Sequence, residues 1–202
     1  MKQSNFCVCP EEYSRGINNR FRQWLHNPAR ILAPHVRRGM TCLDLGCGPG
    51  FFTLEMAHQV GNDGTVIAAD REEGMLKRLA QKTTGLEIEQ RIRLHPCDTE
   101  RIGLETALNK SIDFILLFYV VHEIPDKDRL FTDLGALLAP GGRMLMAEPP
   151  IFVSQKAFQA SLAAAESCGL AVLDGPGIFL SKTAILRHQD TPGAPGTVEA
   201  GI

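Results

Sequence analysis

No stretch of this chain approaches the roughly 20 consecutive apolar residues that a membrane-spanning helix needs. The opening residues, Met1-Lys2-Gln3-Ser4-Asn5-Phe6-Cys7, lack the apolar core of a secretory signal. Charge of one sign is missing as well: 21 Lys and Arg stand against 23 Asp and Glu, a net charge of −2. No field strong enough to hold a nucleic acid is therefore implied. Neither a G-x-G-x-x-G turn nor a Tyr-x-x-x-Lys pair occurs, which weighs against a nicotinamide-dependent oxidoreductase. These absences define an expectation: a cytoplasmic protein with no membrane span and no nucleic-acid partner.

Six cysteines are present: Cys7, Cys9, Cys42, Cys47, Cys97 and Cys168. Without an export signal they are expected as reduced thiols, several serving as small apolar residues in or near strands. Cys7-Val8-Cys9 is the one close pair, and two soft ligands do not complete a metal site. No resident metal is expected. With 202 residues, 44% of them hydrophobic and 22% charged, the chain suits one domain with a sizeable core, or one domain with a short appendage.

Charge and pattern then divide the chain. Residues 1–40 carry seven Lys or Arg and two acids, whereas the remainder carries 14 and 21. In the basic segment Tyr13, Ile17, Phe21, Trp24 and Leu25 recur at helical spacing, with Arg15, Arg20 and Arg22 between them. Pro28 interrupts this helix, a shorter piece runs from about Ala29 to Val36, and Gly39 stops it. Two readings stand together. The helix packs on the domain with its arginines solvated, and it caps a site with its aromatics, Tyr13 and Trp24 included, toward a substrate.

From Thr41 onward strands and helices alternate. Strands are expected over Thr41–Leu45, Thr65–Ala69, Arg91–His95, Ile112–Val120 and Arg143–Ala147, the last entered through Pro140-Gly141-Gly142. Helices are expected over Phe51–Val60, Glu72–Thr83, Glu100–Asn109 (the weakest), Asp126–Leu138 with Asp126 as N-cap, and Gln155–Cys168 stopped by Gly169. Leu170–Leu173 and Leu180–Leu186 read as a closing strand pair. Thr191-Pro192-Gly193-Ala194-Pro195-Gly196 has the composition of a disordered tail. Such alternation requires a mainly parallel α/β sheet, doubly wound with helices on both faces. Ligands in these sheets bind beyond the carboxyl ends of the strands, where strand order reverses. Gly46–Gly50, Asp70, Asp98, Tyr119–Glu123 and Glu148–Pro150 all fall at such ends.

Cys42–Gly50 is the most informative of these stretches. An apolar strand carries Asp44, then Gly46, Gly48 and Gly50 alternate, and a helix follows. A glycine-rich turn of this kind brings a ligand against bare backbone at a helix start. The acid two residues before the first glycine suits an ammonium or sulfonium charge better than a pyrophosphate. Asp70, 20 residues after Gly50, has the geometry to accept both hydroxyls of a ribose. Asp98 follows the third strand, and is either an acceptor for an adenine amino group or an N-cap. His122 and Glu123 are candidate general bases whose other reading is to order the turn before Ile124-Pro125-Asp126. Glu148 is a second candidate, and Tyr119 offers an acceptor its hydroxyl or the cofactor its carbonyl.

Together, Leu43-Asp44-Leu45-Gly46-Cys47-Gly48-Pro49-Gly50, Asp70 with Met75-Leu76, Asp98, Tyr119-Val120-Val121-His122-Glu123-Ile124-Pro125-Asp126 and Leu138-Ala139-Pro140-Gly141-Gly142 resemble the class I S-adenosylmethionine-dependent methyltransferases, in particular the small-molecule group that includes the ubiquinone/menaquinone-biosynthesis enzymes. The resemblance spans about Thr41 to Arg187. It implies a Rossmann-like seven-stranded sheet with the last strand antiparallel, behind an N-terminal helical cap. The corresponding organisation is a cap over 1–40, a cofactor-binding domain over 41–187 and a flexible tail over 188–202. It also implies that S-adenosylmethionine is the cofactor. Asp44, Gly46, Cys47, Gly48, Gly50 and Phe51 would surround its methionine part, Asp70 its ribose, and Arg71, Met75, Cys97, Asp98 and Phe118 the rest of its site. Family members often place an apolar residue after the ribose acid, and here that position is Arg71.

The implied reaction is in-line methyl transfer to a small-molecule acceptor, in which His122, Glu123 and Tyr119 are the candidate catalytic residues. Positioning in a desolvated pocket accounts for most of such catalysis, and a base is needed only for a protonated acceptor. A non-catalytic module that binds the same cofactor is the alternative, ahead of a nicotinamide-dependent oxidoreductase.

Overall fold

The computed structural model describes residues 25–97, 102–104 and 108–189. Cys7, Cys9, Tyr13, Trp24, Asp98, half of the weak helix expected over Glu100–Asn109, and the tail from residue 190 onward lie outside the described residues. Among the described residues the order is α1 (Pro28–Leu32), β1 (Thr41–Leu45), α2 (Thr53–Val60), β2 (Thr65–Asp70), α3 (Glu73–Thr83), β3 (Ile92–Pro96), β4 (Ile112–Phe118), α4 (Lys127–Leu137), β5 (Leu138–Glu148), α5 (Gln155–Ser167), β6 (Leu170–Asp174) and β7 (Lys182–His188).

The strands form one sheet in the order β3-β2-β1-β4-β5-β7-β6. β3, β2, β1, β4 and β5 run parallel, and β7 is antiparallel to both β5 and β6. This is the doubly wound, mainly parallel architecture with an antiparallel end. Strand order reverses between β1 and β4, which places the carboxyl ends of those two strands on either side of a crevice.

β4 is almost continuously apolar because both of its faces are covered. Phe114, Leu116 and Phe118 join the cluster formed with Leu32 of α1 and Met56, Ala57 and Val60 of α2. Ile115 and Leu117 belong to the opposite cluster, with Phe131 and Leu134 of α4 and Phe158 and Leu162 of α5. Each such side chain, fully buried, contributes on the order of 1.5–3 kcal/mol. The helices stop and start where local chemistry directs. Asp126 accepts from the Arg129 N–H at 2.9 Å, Ser154 from the Ala157 N–H at 3.1 Å, and Gly169 takes φ +81° after α5.

Several boundaries differ from the sequence expectation: α1 stops at Leu32, short of Val36, β7 runs on to His188, and smaller shifts occur elsewhere, while four have a clear local reason. α2 begins at Thr53, since Phe51 and Phe52 still belong to the turn leaving the glycine loop. β4 ends at Phe118 because Tyr119 turns to φ +62°. β5 starts at Leu138, ahead of Arg143: Leu138 pairs with Ile112, and the Pro140-Gly141-Gly142 segment is a bulge within the pairing. β7 begins at Lys182, because residues 179–181 make contacts at the sheet's carboxyl edge.

Candidate cofactor site

The glycine loop leaves β1 with three positive φ values: +73° at Gly46, +52° at Gly48 and +89° at Gly50. Gly46 and Gly50 are also sterically required. A Cβ at Gly46 would lie 2.7 Å from Val120 Cγ2, and one at Gly50 2.4 Å from Leu79 Cδ1. Gly48 differs, because a Cβ there would meet nothing within 4 Å. The middle of the loop thus presents bare backbone to open space.

The end of β2 holds this loop. The N–H groups of Gly46 and Cys47 donate to the Ala69 carbonyl at 2.8 and 3.1 Å. The Gly48 N–H donates to Asp70 Oδ2 at 2.7 Å, while Asp70 Oδ1 accepts from the Glu72 N–H at 2.8 Å. Each Asp70 oxygen retains a further lone pair for a ligand hydroxyl. Asp44, only 3% exposed, accepts from the Thr53 hydroxyl at 2.6 Å. Lys82 Nζ donates to the Pro49 carbonyl at 2.7 Å, and burial, followed by the nearby Arg78 charge, lowers its pKa.

Burial favours the protonated form of the thiols around the loop. Burial, reinforced by Asp44 and Asp70, raises the Cys47 pKa strongly. Burial and then Asp70 push Cys97 up to about 12, and its N–H donates to the Asp70 carbonyl at 3.0 Å. Met75, 9% exposed, lies in the first turn of α3. Arg71 is half-exposed beside Glu72, and its charge reaches Glu123.

Across the crevice, rings run from the loop to the end of β4. Phe51 and Phe52 are 5.0 Å apart, Phe52 and Phe118 4.5 Å, and Phe118 and Tyr119 4.4 Å. The Tyr119 hydroxyl donates to the Leu180 carbonyl at 2.9 Å and lies 2.8 Å from Ser181 Oγ and 3.2 Å from His26 Nε2. A short 3₁₀ turn, Val121–Glu123, follows. Glu148, 1% exposed at the end of β5, organises it: Oε1 accepts the Val121 N–H at 3.0 Å and Oε2 lies 2.6 Å from His122 Nδ1. His122 therefore pairs with Glu148 rather than with its neighbour Glu123. That hydrogen bond raises the His122 pKa against the opposing effect of burial. Burial raises the Glu123 carboxyl, with His122 and Arg71 acting in the opposite direction.

Asp44, Gly46, Cys47, Gly48, Gly50, Asp70 and Cys97 are thus joined by the loop, while Phe51, Phe118 and Tyr119 lie on its β4 side. Thr53, Lys82, His26 and Ser181 take part without having been anticipated. Each is an isolated polar residue whose partner is remote in sequence, and no spacing signals it.

The open face at Gly48, the carboxylates of Asp44 and Asp70, and the apolar rings opposite suit a ligand with a ribose, a cationic end and an apolar face. Fold and site together define the Rossmann-like class of S-adenosylmethionine-dependent methyltransferases. The model of the family described as "Methyltransferase domain" matches residues 37–175, and the chain belongs to that family. Its cofactor is S-adenosylmethionine. The nicotinamide reading is set aside by this membership.

The chain is 32% identical over 113 residues to the ubiquinone/menaquinone biosynthesis C-methyltransferase UbiE of Idiomarina loihiensis, covering 56% of this chain and 44% of that protein. It is 31% identical over 128 residues to UbiE of Escherichia coli K12, covering 62% and 50%. The chain spans about half the length of the curated relatives it matches. A solved S-adenosylmethionine-dependent methyltransferase from Aquifex aeolicus has the same fold, with a TM-score of 0.70 at 22% identity, covering 82% of this chain and 90% of that one. No helix among the described residues is long and apolar enough to cross a membrane.

Proposed function

We propose that this protein transfers a methyl group from S-adenosylmethionine to a small-molecule acceptor. The observation that carries this reading is the open, left-handed Gly48, held by the ribose-competent Asp70 in a loop whose buried acid is Asp44. The cofactor, when bound, supplies an activated methyl group on a sulfonium. Asp44 and the 46–50 loop would hold its methionine part, and Asp70 its ribose. Met75 and the Arg71 stem would lie along the adenine, with Cys97, Asp98 and Phe118 completing the site.

On the acceptor side the chain's task is to position and to exclude water. Glu148 fixes the ring of His122 through Nδ1, and no other described residue takes up Nε2. In its neutral form His122 would accept a proton at Nε2 from an ionisable acceptor. Glu123 lies alongside as a second group with a raised pKa. The organisation that follows is a methyltransferase domain over 41–188, one residue beyond the expected 187 because His188 pairs with Leu170 in the last strand, served by residues 1–40 as a cap and followed by a tail. The similarity to UbiE supports a small molecule as the acceptor over a macromolecule.

Calorimetry with S-adenosylmethionine and NAD(H), followed by assay of S-adenosylhomocysteine release across a metabolite panel, tests the reading. Preference for the nucleotide, or cofactor binding with no product from any acceptor, would defeat it.

A further inference from the structure

We propose that Tyr119 is a positioning residue: its hydroxyl holds the loop over residues 175–181 so that Phe179 and Leu180, with Ile151 and Phe152, form a wall for an acceptor with a neutral, apolar face. The proposal rests on the methyl-transfer reading above and adds to it the acceptor's chemical class.

Topology places this wall at the site. Lys182 pairs with Glu148, the last residue of β5, so the loop entering β7 lies at the same sheet edge as His122. Lys182 Nζ also donates to the Val153 carbonyl, which joins this loop to the one leaving β5. The loop is then tied inward by polar bonds: Tyr119 to the Leu180 carbonyl and Ser181 Oγ, and His26 Nε2 to the Phe179 carbonyl at 2.9 Å.

Backbone strain marks the same contact. Tyr119 and Leu180 are two of the three non-glycine residues with positive φ among the described residues, at +62° and +51°. They face each other across one hydrogen bond. Such conformations persist only where the surroundings over-determine them. Here the result is to hold large apolar side chains outward. Phe179 is 60% exposed, Leu180 49%, Ile151 81% and Phe152 78%.

Charge sets the class of occupant. Neither residues 149–153 nor residues 175–181 include a charged side chain. The described charged groups near the site, Asp44, Asp70, Arg71, Glu123 and the His122–Glu148 pair, lie on the loop and 3₁₀-turn side, while Lys182, at the base of the wall, has its ammonium taken up by the Val153 carbonyl. Between the two stand Phe118, Tyr119 and His26 in edge or tilted ring contact. The buried Phe118 and His26 and the partly exposed Tyr119 thus link the cofactor loop to the apolar wall. An acceptor that is apolar on one face matches it, whereas a highly charged metabolite would lose its hydration there without a partner.

The test compares full-length protein with Tyr119→Phe and Phe179→Ser by three measurements: calorimetric S-adenosylmethionine affinity, hydrogen exchange of peptides over 175–181, and fluorescence titration with the neutral probe N-phenyl-1-naphthylamine. Tyr119→Phe should speed exchange in 175–181 about tenfold or more, as expected for one or two lost hydrogen bonds. β4 and β5 should be unaffected, and the cofactor affinity of Phe179→Ser should stay within about twofold. Both variants should weaken saturable probe binding several-fold. If Tyr119→Phe does not fold, Ser181→Ala removes another arm of the clasp and carries the same expectation. Unchanged loop exchange, or probe affinity indifferent to Phe179→Ser, would overturn the proposal while leaving the methyl-transfer reading intact. No saturable probe binding by the full chain would overturn it too, since another segment would then cover the wall. Failure of the wild-type protein to bind S-adenosylmethionine would instead defeat the reading beneath.

Discussion

Asp44 and Thr53 show how one carboxylate serves fold and site together. The Thr53 hydroxyl, fully buried at the start of α2, has Asp44 as its acceptor. Asp44→Ala should therefore abolish S-adenosylmethionine binding in calorimetry and also cost about 1–3 kcal/mol of stability in denaturant titration, the penalty for a stranded buried hydroxyl. The three glycines separate in the same way. Gly50→Ala forces a Cβ to within 2.4 Å of Leu79 at φ +89° and should lower the unfolding midpoint. Gly48→Ala meets open space but is strained at φ +52°, so it should cost less stability than Gly50→Ala while still weakening cofactor affinity. His35 makes a third case. It is stacked on Phe114 with rings parallel at 5.4 Å, and neither ring nitrogen has a hydrogen-bond partner among the described residues. His35→Phe should keep the stack, remove two unsatisfied polar atoms, and stabilise the fold by about 1 kcal/mol or more in thermal or denaturant unfolding.

At the level of elements, the Val121–Glu123 turn and the α1 region oppose each other in pH. Pairing with Glu148 raises the His122 pKa, so its stabilisation is complete below the ordinary histidine value and is lost as pH rises through the folded value. Burial lowers the His35 pKa, so its contribution is present above the ordinary value and is lost as pH falls below it toward the folded one. Unfolding midpoints measured from about pH 5 to 8 should thus show a limb at each end. His35→Phe should remove the acid limb, and Glu148→Gln should flatten the other while lowering stability throughout. The elements themselves were largely legible: β1, β2, α3, α4 and α5 follow apolar period, N-caps and Gly169. Less legible were the ends governed by partners distant in sequence. Tyr119 leaves the strand because its hydroxyl reaches Leu180 and Ser181, and β5 begins early because Leu138 finds Ile112.

For the whole molecule, membership in the methyltransferase-domain family predicts selectivity for cofactor. S-adenosylmethionine should raise the unfolding midpoint with the logarithm of its concentration over Kd, and NAD(H) should leave it unchanged; a differential thermal shift checks this directly. By itself the sequence determined the alternation of strands and helices, the loop at 46–50 and the carboxylate Asp70. Those features are local: a period, a glycine spacing and an acid at a strand end act over a few residues. Only the tertiary structure decided that Glu148 takes up His122, that Thr53 and Lys82 secure the loop, and that Tyr119 reaches across to residues 179–181. Each of these joins side chains from different strands or loops. Their distances are set by sheet order and register, which no linear spacing encodes.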